Sequence, residues 1–374
     1  MKILVAGDFC PILRLERALV SERYSEVLGD VRETVMSADY SIVNFECTVT
    51  EGDEDAITKV GPNLKCSSKG LDALKWAGFK CVTIANNHIL DYGERGIENT
   101  ITACKQNRID VVGGGRNLQE ASQILYKDIQ GKKIAIVNCC EHEFSVATEE
   151  SAGANPLNPI QQYYSIKEAK GKADYVLVIV HGGHEHFQLP SLRMQETYRF
   201  FVDAGADVVV NHHQHCYSGY EVYNNSPIFY GIGNFCFDSN PLKINELWNY
   251  GYMVILDLNE SGVNYELIPY RQCAEEATVK RIYKKEFVEK IQSINKIIAN
   301  SSELSNQLRV YYKTSNVLNA FEPFYGSLLT KFQNRKWFPS LLSTRQLLKL
   351  LNLISCESHR DKVIAVLQEY IKKQ

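Results

Sequence analysis

Short apolar runs that end in polar side chains are the feature that most constrains the fold of this chain. The runs are rich in valine and isoleucine and lie at residues 3–6, 41–43, 81–85, 134–137, 175–180 and 207–210. Near-continuous apolar runs of this length are typical of strands that are covered on both faces. Helical patterns separate the runs, as at 68–77, where Gly78 supplies a stop signal. This alternation of strands and helices predicts an α/β layered fold.

Length, composition and charge set the class of protein. The 374 residues suit one large α/β domain with an appendage, or two domains. Hydrophobic residues make up 45% and charged residues 23%, which excludes a disordered chain. The net charge of −3 and the lack of a dense Lys/Arg block argue against a nucleic-acid partner. The eleven cysteines include no C-x-x-C pair, so we expect reduced, buried thiols and a cytoplasmic location.

The character of the sequence changes near residue 272. Beyond it, apolar residues follow a helical period over 287–298, and Ser343 and Gln346 fit a capping box before a leucine-rich helix. We therefore expect one domain over 1–272 and a helical extension over 273–374. No stretch approaches the roughly 20 apolar residues of a membrane span, and the N-terminal apolar run is too short for a signal peptide. The sequence thus predicts no membrane span.

The polar side chains that follow the strands are of the types that bind divalent metals. Eight of the nine histidines lie between His88 and His215, and the ninth, His359, is expected at the surface. His213 and His215 alternate along the chain, so we expect them to point to one side and His212 to point away. Ligand-binding groups of an open α/β sheet collect at the carboxyl ends of its strands. We therefore expect one site that contains Asp8, Glu46, Asn87, His88, His181, His213 and His215.

The composition of this set indicates the kind of metal and the number of ions. Carboxylates, imidazoles and a carboxamide without cysteine suit divalent ions such as Mn, Fe, Zn or Mg. One tetrahedral zinc needs fewer ligands than this set offers, whereas two ions bridged by a carboxylate would use all of them. Two ions about 3.5–4 Å apart are the usual apparatus for displacement at phosphorus. The residues therefore predict a site for two divalent metal ions of unknown identity.

Motifs that contain these residues follow one another in a recognisable order. They are Gly7-Asp8, Asn44-Phe45-Glu46, Asn86-Asn87-His88 with Asp91 and Gly93, His181-Gly182-Gly183-His184-Glu185, Gly205-Ala206-Asp207, His212-His213-Gln214-His215, and Gly231-Ile232-Gly233-Asn234-Phe235. Over roughly residues 2–270 the chain resembles the CapA family of poly-γ-glutamate capsule-biosynthesis proteins, which in turn resembles the calcineurin-like metallophosphoesterases. The resemblance implies a four-layer α/β/β/α metallophosphoesterase-like sandwich, to which residues 273–374 would add an α-helical extension.

The resemblance also assigns roles by position. The side chains that it gives to the two metal ions are Asp8, Glu46, Asn87, His181, His213 and His215. Glu46 would bridge the ions, Asp8 and His215 would complete the first site, and the other three ligands would complete the second. His88 would be catalytic, because it would donate a proton to the leaving group or hold a phosphoryl oxygen, and Asp91 would orient it.

Other residues near the motifs are candidates to support a ligand or to contact substrate. They are Cys10, His142, His184, Glu185 and Asn234, with Glu141 and Glu143 as alternatives to His142. Three positions depart from the pattern of the resemblance, and one of them is Gln214, where CapA relatives commonly carry a proline. Cys10 stands where calcineurin-type enzymes usually carry a second histidine ligand, so we expect a weaker first metal site. Gly182 stands where CapA relatives commonly carry tryptophan, which leaves the shape of the substrate pocket open.

The sequence thus predicts a metal-dependent hydrolase of the CapA type. The expected reaction is the hydrolysis of an ester bond by a dinuclear-metal phosphoesterase involved in capsule or exopolymer biosynthesis. The expected substrate is an anionic small molecule or polymer, and a homo-oligomer is left open. The alternative is a non-hydrolytic polymer-assembly or ligand-binding component of capsule synthesis, whether of poly-γ-glutamate or of a polysaccharide.

Overall fold

The computed structural model describes residues 1–50, 52, 55–239, 245–283, 285–314 and 343–371. Its strands are β1 Lys2–Cys10, β2 Tyr40–Phe45, β3 Thr48–Val49, β4 Lys65–Cys66, β5 Cys81–Thr83, β6 Asp110–Val112, β7 Gly114–Gly115, β8 Leu125–Ile129, β9 Lys132–Cys140, β10 Gly153–Ala154, β11 Tyr175–His181, β12 Val208–His212, β13 Tyr220–Tyr223, β14 Ser226–Phe229, β15 Asn234–Phe237, β16 Tyr250–Asn259, β17 Gly262–Gln272 and β18 Val279–Arg281. Its helices are α1 Arg14–Val20, α2 Tyr24–Met36, α3 Lys69–Ala77, α4 Gly93–Asn107, α5 Leu118–Ala121, α6 Pro159–Lys172, α7 Leu192–Ala204, α8 Glu246–Asn249, α9 Lys285–Ile298, α10 Ser301–Thr314, α11 Thr344–Ser355 and α12 Glu357–Ile371.

Two large sheets form the centre of the molecule. The first has eight strands in the order β18-β17-β16-β1-β2-β5-β6, with β15 also paired to β1. The second has six strands in the order β13-β14-β12-β11-β9-β8. Strands β1, β2, β5 and β6 are parallel to one another, and so are β9, β11 and β12. The carboxyl ends of the parallel strands therefore share one edge in each sheet, where ligand-binding groups are expected.

The apolar strands are buried on both faces, as their near-continuous hydrophobic sequences predict. In β1, Ile3 and Val5 pack in the cluster between the two sheets, whereas Leu4 and Ala6 pack against helices. The helix-side cluster of the first sheet includes residues of α1 to α4, and that of the second sheet includes residues of α6 and α7. The order of layers is therefore helix, sheet, sheet, helix, which confirms the predicted four-layer α/β/β/α sandwich.

Helices follow the sandwich in the C-terminal part of the chain, as predicted. Phe287 and Ile291 of α9 pack into the cluster between the sheets, and Leu304 and Leu308 of α10 pack beside α7. The first sheet continues to β18, beyond the predicted boundary at residue 272, and the division into two domains stays a prediction. Helix α11 begins with the predicted capping box, in which Ser343 Oγ accepts from the Gln346 amide and Gln346 Oε1 accepts from the Ser343 amide.

Two further sequence predictions concern cysteines and membrane spans. All eleven cysteines lie in the part of the chain that the structure describes, and all are buried and free. Burial raises the pKa of the Cys10 thiol to about 11, so this residue is a neutral thiol near pH 7. Within the described ranges no helix combines the length and the apolar character that crossing a membrane requires.

A close backbone approach fixes β1 next to the loop that leads into β15. The Asp8 amide donates to the Gly233 carbonyl oxygen at 3.2 Å. A Cβ atom on Gly7 would lie 1.9 Å from that same oxygen. Because both partners are backbone, neither can move away without shifting a strand, so glycine is required at position 7.

We predict that Gly7→Ala lowers the free energy of unfolding by about 1–3 kcal/mol, because the added methyl group forces β1 away from the Gly233 loop. The matched control is Gly29→Ala within α2, where a Cβ would meet nothing within 4 Å. That control is expected to stabilise the protein by about 0.5–1 kcal/mol, since alanine is the better helix former. Urea unfolding measures both changes, and a Gly7→Ala variant as stable as wild type would contradict the prediction.

Candidate metal centre

The candidate ligands come from loops and strand ends at the edges of the two sheets. Asp8 lies in β1 at a shift of register with both neighbouring strands, and such irregularities re-aim side chains. Glu46 directly follows β2, and Asn87 lies in the turn after β5. His181 is the last residue of β11. The carboxyl ends of strands from both sheets therefore contribute to one buried cluster.

The histidine loop after β12 differs from the prediction made from alternation. Strand β12 ends at His212, and His213 and His215 have φ angles of 82° and 53°. The alternation of a strand therefore does not apply to these residues. His212 does not point away from the site, as was predicted, because its Nδ1 lies 3.1 Å from Asp8 Oδ1. The left-handed backbone at His213 and His215 turns these two side chains toward the cluster that His212 also reaches.

Glu46 lies at the centre of the cluster. Its Oε1 is 3.5 Å from His181 Nε2 and 3.7 Å from His215 Nε2. The side chain is fully buried, and neither carboxylate oxygen has a hydrogen-bond partner among the described residues. An unpaired buried carboxylate is costly unless a cation offsets its charge. Glu46 therefore has the position and the free oxygens that a bridging metal ligand needs.

Two groups of potential metal ligands share Glu46. One consists of Glu46, His181 and His213, and the other of Asp8, Glu46 and His215; within each group the donor atoms lie within 4.8 Å of one another. Asn87 adjoins the first group, because its Oδ1 is 3.0 Å from His181 Nε2. The six residues predicted as metal ligands are therefore brought together, and their role as ligands is taken up below as a proposal.

The charges of the cluster also suit a divalent cation. Burial raises the pKa of Glu46 well above its usual range, and the neighbouring Asp8 carboxylate adds to this effect. Burial acts to raise the pKa of Asp8, but the contacts with His212, His215 and Asn44 together outweigh burial and lower it. Burial and the neighbouring imidazoles lower the pKa of His181, so this ring is neutral and can offer a lone pair. Neutral imidazoles do not offset the negative charge of the carboxylates that they face. A divalent cation would offset that charge, and both kinds of side chain are ligands that such a cation accepts.

His88 and Asp91 form a second buried feature beside the ligands. His88 Nδ1 lies 2.7 Å from Asp91 Oδ2, which also accepts from the Leu64 amide at 2.6 Å. The ammonium group of Lys59 pairs with Asp91 Oδ1 and lies 3.2 Å from His88 Nδ1. The Lys59 side chain is only 2% exposed. Sequence reasoning missed Lys59, because a single lysine in a loop carries no motif.

Asn234 and Asn44 support the ligands through hydrogen bonds. Asn234 Oδ1 lies 2.9 Å from His215 Nδ1, which leaves His215 Nε2 to face Glu46. Asn234 was predicted as a supporting residue, and its place beside His215 suits that role. Asn44 Nδ2 donates to Asp8 Oδ1 at 2.8 Å and was not predicted, although its motif had been noted.

The other candidates lie outside the two ligand groups. Cys10 packs in the helix-side core of the first sheet and belongs to neither group. His184 Nε2 lies 3.0 Å from the Tyr312 hydroxyl, so this residue faces α10. His142 Nδ1 lies 2.6 Å from Glu357 Oε1 and so faces α12. Glu185 keeps contact with solvent; partial desolvation raises its pKa, but the charges of nearby histidines outweigh this effect and lower it.

Glu143 was considered only as an alternative to His142, but Glu143 reaches the cluster of ligand side chains, whereas His142 does not. Its Oε2 lies 3.2 Å from Asn87 Nδ2 and 3.8 Å from His213 Nε2. Its Oε1 lies 3.9 Å from His359 Nδ1. His359 was predicted at the surface, but its side chain is 31% exposed and lies against this carboxylate. The fold brings this distant histidine back to the rim of the cluster.

Comparison with known proteins gives one family and several relatives. The family model described as "Bacterial capsule synthesis protein PGA_cap" matches residues 2–239. The chain is 36% identical over 220 residues to "Capsule biosynthesis protein CapA" of Bacillus anthracis, covering 57% of this chain and 54% of that protein. It is 32% identical over 235 residues to "PGA biosynthesis protein CapA" of Bacillus subtilis, covering 62% of each. The chain thus spans between about half and two thirds of the length of these relatives.

Among solved structures, the chain is similar to a 5′-nucleotidase precursor from Thermus thermophilus. The TM-score is 0.43 at 10% sequence identity, and the match covers 90% of this chain and 68% of that one.

Replacing Glu46 by glutamine tests whether its buried charge needs a cation. Because its pKa is raised, the stability that Glu46 contributes without metal is fully present below its ordinary pKa of 4.5 and is lost as the pH rises through the raised value. In a chelator, we therefore predict that Glu46→Gln has a higher Tm than wild type at neutral pH, and that the difference shrinks in acid. In Mn²⁺ the order should reverse, since only the wild type gains from binding.

The matched control for this thermal unfolding is Glu98→Gln, which changes an exposed carboxylate in α4. Its Tm is expected to follow that of wild type in both media. A Glu46→Gln variant that is less stable than wild type in chelator at neutral pH would contradict the prediction.

Proposed function

The chain belongs to the bacterial capsule synthesis protein family PGA_cap, and on that basis we propose that it is a metal-dependent phosphoesterase that acts in the synthesis of a capsule or exopolymer. The observation that carries the proposal is the fully buried Glu46, whose carboxylate has no hydrogen-bond partner among the described residues and lies between two groups of ligand side chains. A carboxylate shared by two such groups is what a dinuclear metal site requires. The names of the relatives in Bacillus anthracis and Bacillus subtilis support the biosynthetic setting.

We assign the ligands as follows. Asp8, Glu46 and His215 would hold one ion, and Glu46, His181 and His213 would hold the other, with Asn87 as an additional oxygen ligand. The absence of thiolate from the set favours Mn, Fe, Zn or Mg. When bound, such paired ions stabilise the charge on phosphoryl oxygens and lower the pKa of coordinated water. Asn234 would keep the His215 ring turned so that Nε2 faces the ion.

His88 is the residue that would exchange a proton with the leaving oxygen. Asp91 is surrounded by donors, so its 2.7 Å contact with His88 Nδ1 requires a proton on that nitrogen. The other ring nitrogen, Nε2, is then left for the substrate, and it would have to bind a second proton before His88 could give one to the leaving oxygen. Lys59 compensates the charge of Asp91, which stabilises a carboxylate that is otherwise fully buried. Together, Asp91 and Lys59 would hold His88 in one tautomer.

A second candidate function is a non-hydrolytic component of capsule synthesis that binds an anionic ligand or polymer. The names of the two relatives given above favour it, because both describe biosynthesis and neither describes hydrolysis. The two functions differ in what they require of His88, which a binding protein would not need as a proton donor. The anionic substrate and the cytoplasmic location stay predictions.

Metal content tests the ligand assignment. We predict that the purified protein, loaded with Mn²⁺ or Zn²⁺ and desalted, holds about two divalent ions per chain. His213→Ala should lower this content, because it removes a ligand of one group. The control Glu98→Gln changes an exposed carboxylate in α4 outside both groups and should not change it. Elemental mass spectrometry measures all three proteins, and a wild type without metal would rule out the proposed site.

Phosphodiesterase and phosphomonoesterase assays with p-nitrophenyl esters test the reaction. We predict that His88→Ala lowers kcat by about 10²–10⁴-fold while metal content stays at the wild-type level, because general acid–base catalysis contributes that much. The control Glu98→Gln should retain full activity. A loaded wild-type protein that cleaves none of these esters, nor phosphoanhydrides or amides, would instead favour the binding function.

A further inference from the structure

The segment Glu141-His142-Glu143, which follows β9, is held by the C-terminal helices. Arg193 donates from Nη2 to Glu141 Oε1 at 2.7 Å and from Nε to Asp361 Oδ2 of α12 at 2.6 Å. Glu357 of α12 accepts from the His142 amide at 2.9 Å and lies 2.6 Å from His142 Nδ1. The bonds to Glu357 join residues 215 positions apart, and Arg193 links Glu141 to Asp361 of α12. The segment therefore depends on the C-terminal helices for its position.

Gly182 leaves the space that this arrangement needs. A Cβ atom at position 182 would lie 2.7 Å from Glu141 Cγ, and the Gly183 amide donates to Glu141 Oε2 at 3.3 Å. The space beside the strand end of β11 is thus filled by the Glu141 side chain. The segment between Glu141 and Glu143 is therefore fixed on one side by β11 and on the other by α11 and α12.

Asn352 of α11 holds the third residue of this segment. Its Nδ2 donates to Glu143 Oε1 at 3.2 Å, whereas its Oδ1 is buried and has no partner among the described residues. The bond to Glu143 is thus the contact that orients this amide. Because Glu143 Oε1 is engaged by Asn352, Glu143 Oε2 is turned toward Asn87.

The contact between Glu143 and Asn87 decides which atom of Asn87 faces the ligands. Asn87 Nδ2 donates to Glu143 Oε2 at 3.2 Å, so Asn87 Oδ1 lies on the opposite side, 3.0 Å from His181 Nε2. Only the oxygen of a carboxamide binds a hard cation, and a flipped amide would present its NH₂ group to it. The carboxylate of Glu143 therefore selects the amide orientation that a metal ion needs.

We infer that Asn352, on the C-terminal helix α11, is a positioning residue for the second metal ion. It acts through Glu143, which turns the oxygen of Asn87 toward His181. This inference rests on the ligand assignment made above. It adds that the orientation of the ligand Asn87 depends on Asn352, which lies more than 200 positions from Glu143 in the sequence. The C-terminal helices are thus part of the metal centre.

The test is the affinity of the full chain for Mn²⁺, measured by equilibrium dialysis. Asn352→Asp replaces the donor by an acceptor of the same shape. It should weaken the affinity for one of the two Mn²⁺ ions by about 10–100-fold, because loss of a residue that orients a ligand has an effect of that size. The double variant Asn352→Asp with Glu143→Gln restores the relay, because the new glutamine amide can donate to the new carboxylate while its oxygen accepts from Asn87. It should recover most of the lost affinity.

The matched control is Leu351→Ala, which truncates a 57% exposed side chain next to Asn352 and should bind both ions as wild type does. Thermal unfolding in chelator identifies variants that fail to fold. If Asn352→Asp unfolds, Asn352→Leu, which removes the donor without adding charge, takes its place. Wild-type binding of two ions together with unchanged binding by the Asn352 variants would overturn the inference alone. A wild type that binds no ion would overturn the proposed function and the inference with it.

Discussion

The burial of the Glu46 carboxylate without a hydrogen-bond partner is the constraint on which the rest of the site depends. Taking an ionised carboxylate out of water costs several kcal/mol unless another charge offsets it. Among the described residues neither oxygen of Glu46 has a hydrogen-bond partner, and Asp8 lies close enough to raise the pKa of Glu46 further. The surrounding imidazoles do not remove this cost, because the pKa of His181 is itself lowered by burial and by its neighbours. The buried position of Glu46 is possible because the strand ends of the two sheets meet at one cluster. A cation between the two groups of ligand side chains would offset the negative charge of Glu46.

The strands and the main ligand set could be predicted because both depend on local sequence. A buried strand such as β11 needs a continuous apolar run, and the residue that follows the run is placed at the sheet edge by the chain itself. His181 and Glu46 were therefore identifiable from position alone. The same reasoning was wrong for His212, since it assumed that the alternation of a strand continues through His213 and His215, where the backbone has left-handed φ angles.

The remaining parts of the site depend on contacts that no local pattern specifies. Lys59 lies in a loop without a motif, and only the fold shows that its ammonium group pairs with the buried Asp91. His142 was preferred to Glu143 at the edge of the sheet, but Glu357 draws the imidazole toward α12. His359, the one histidine outside residues 88–215, was assigned to the surface. The fold returns it to Glu143, which no spacing could predict.

The central claim is that two metal ions lie on either side of Glu46. The most direct measurement is an anomalous-difference map from crystals grown with Mn²⁺, recorded near the manganese absorption edge. The account predicts two peaks that share Glu46, one beside Asp8 and His215 and the other beside His181 and His213, with the oxygen of Asn87 facing the second. A single peak away from Glu46, or an ordered water or lysine ammonium group in place of both peaks, would contradict it.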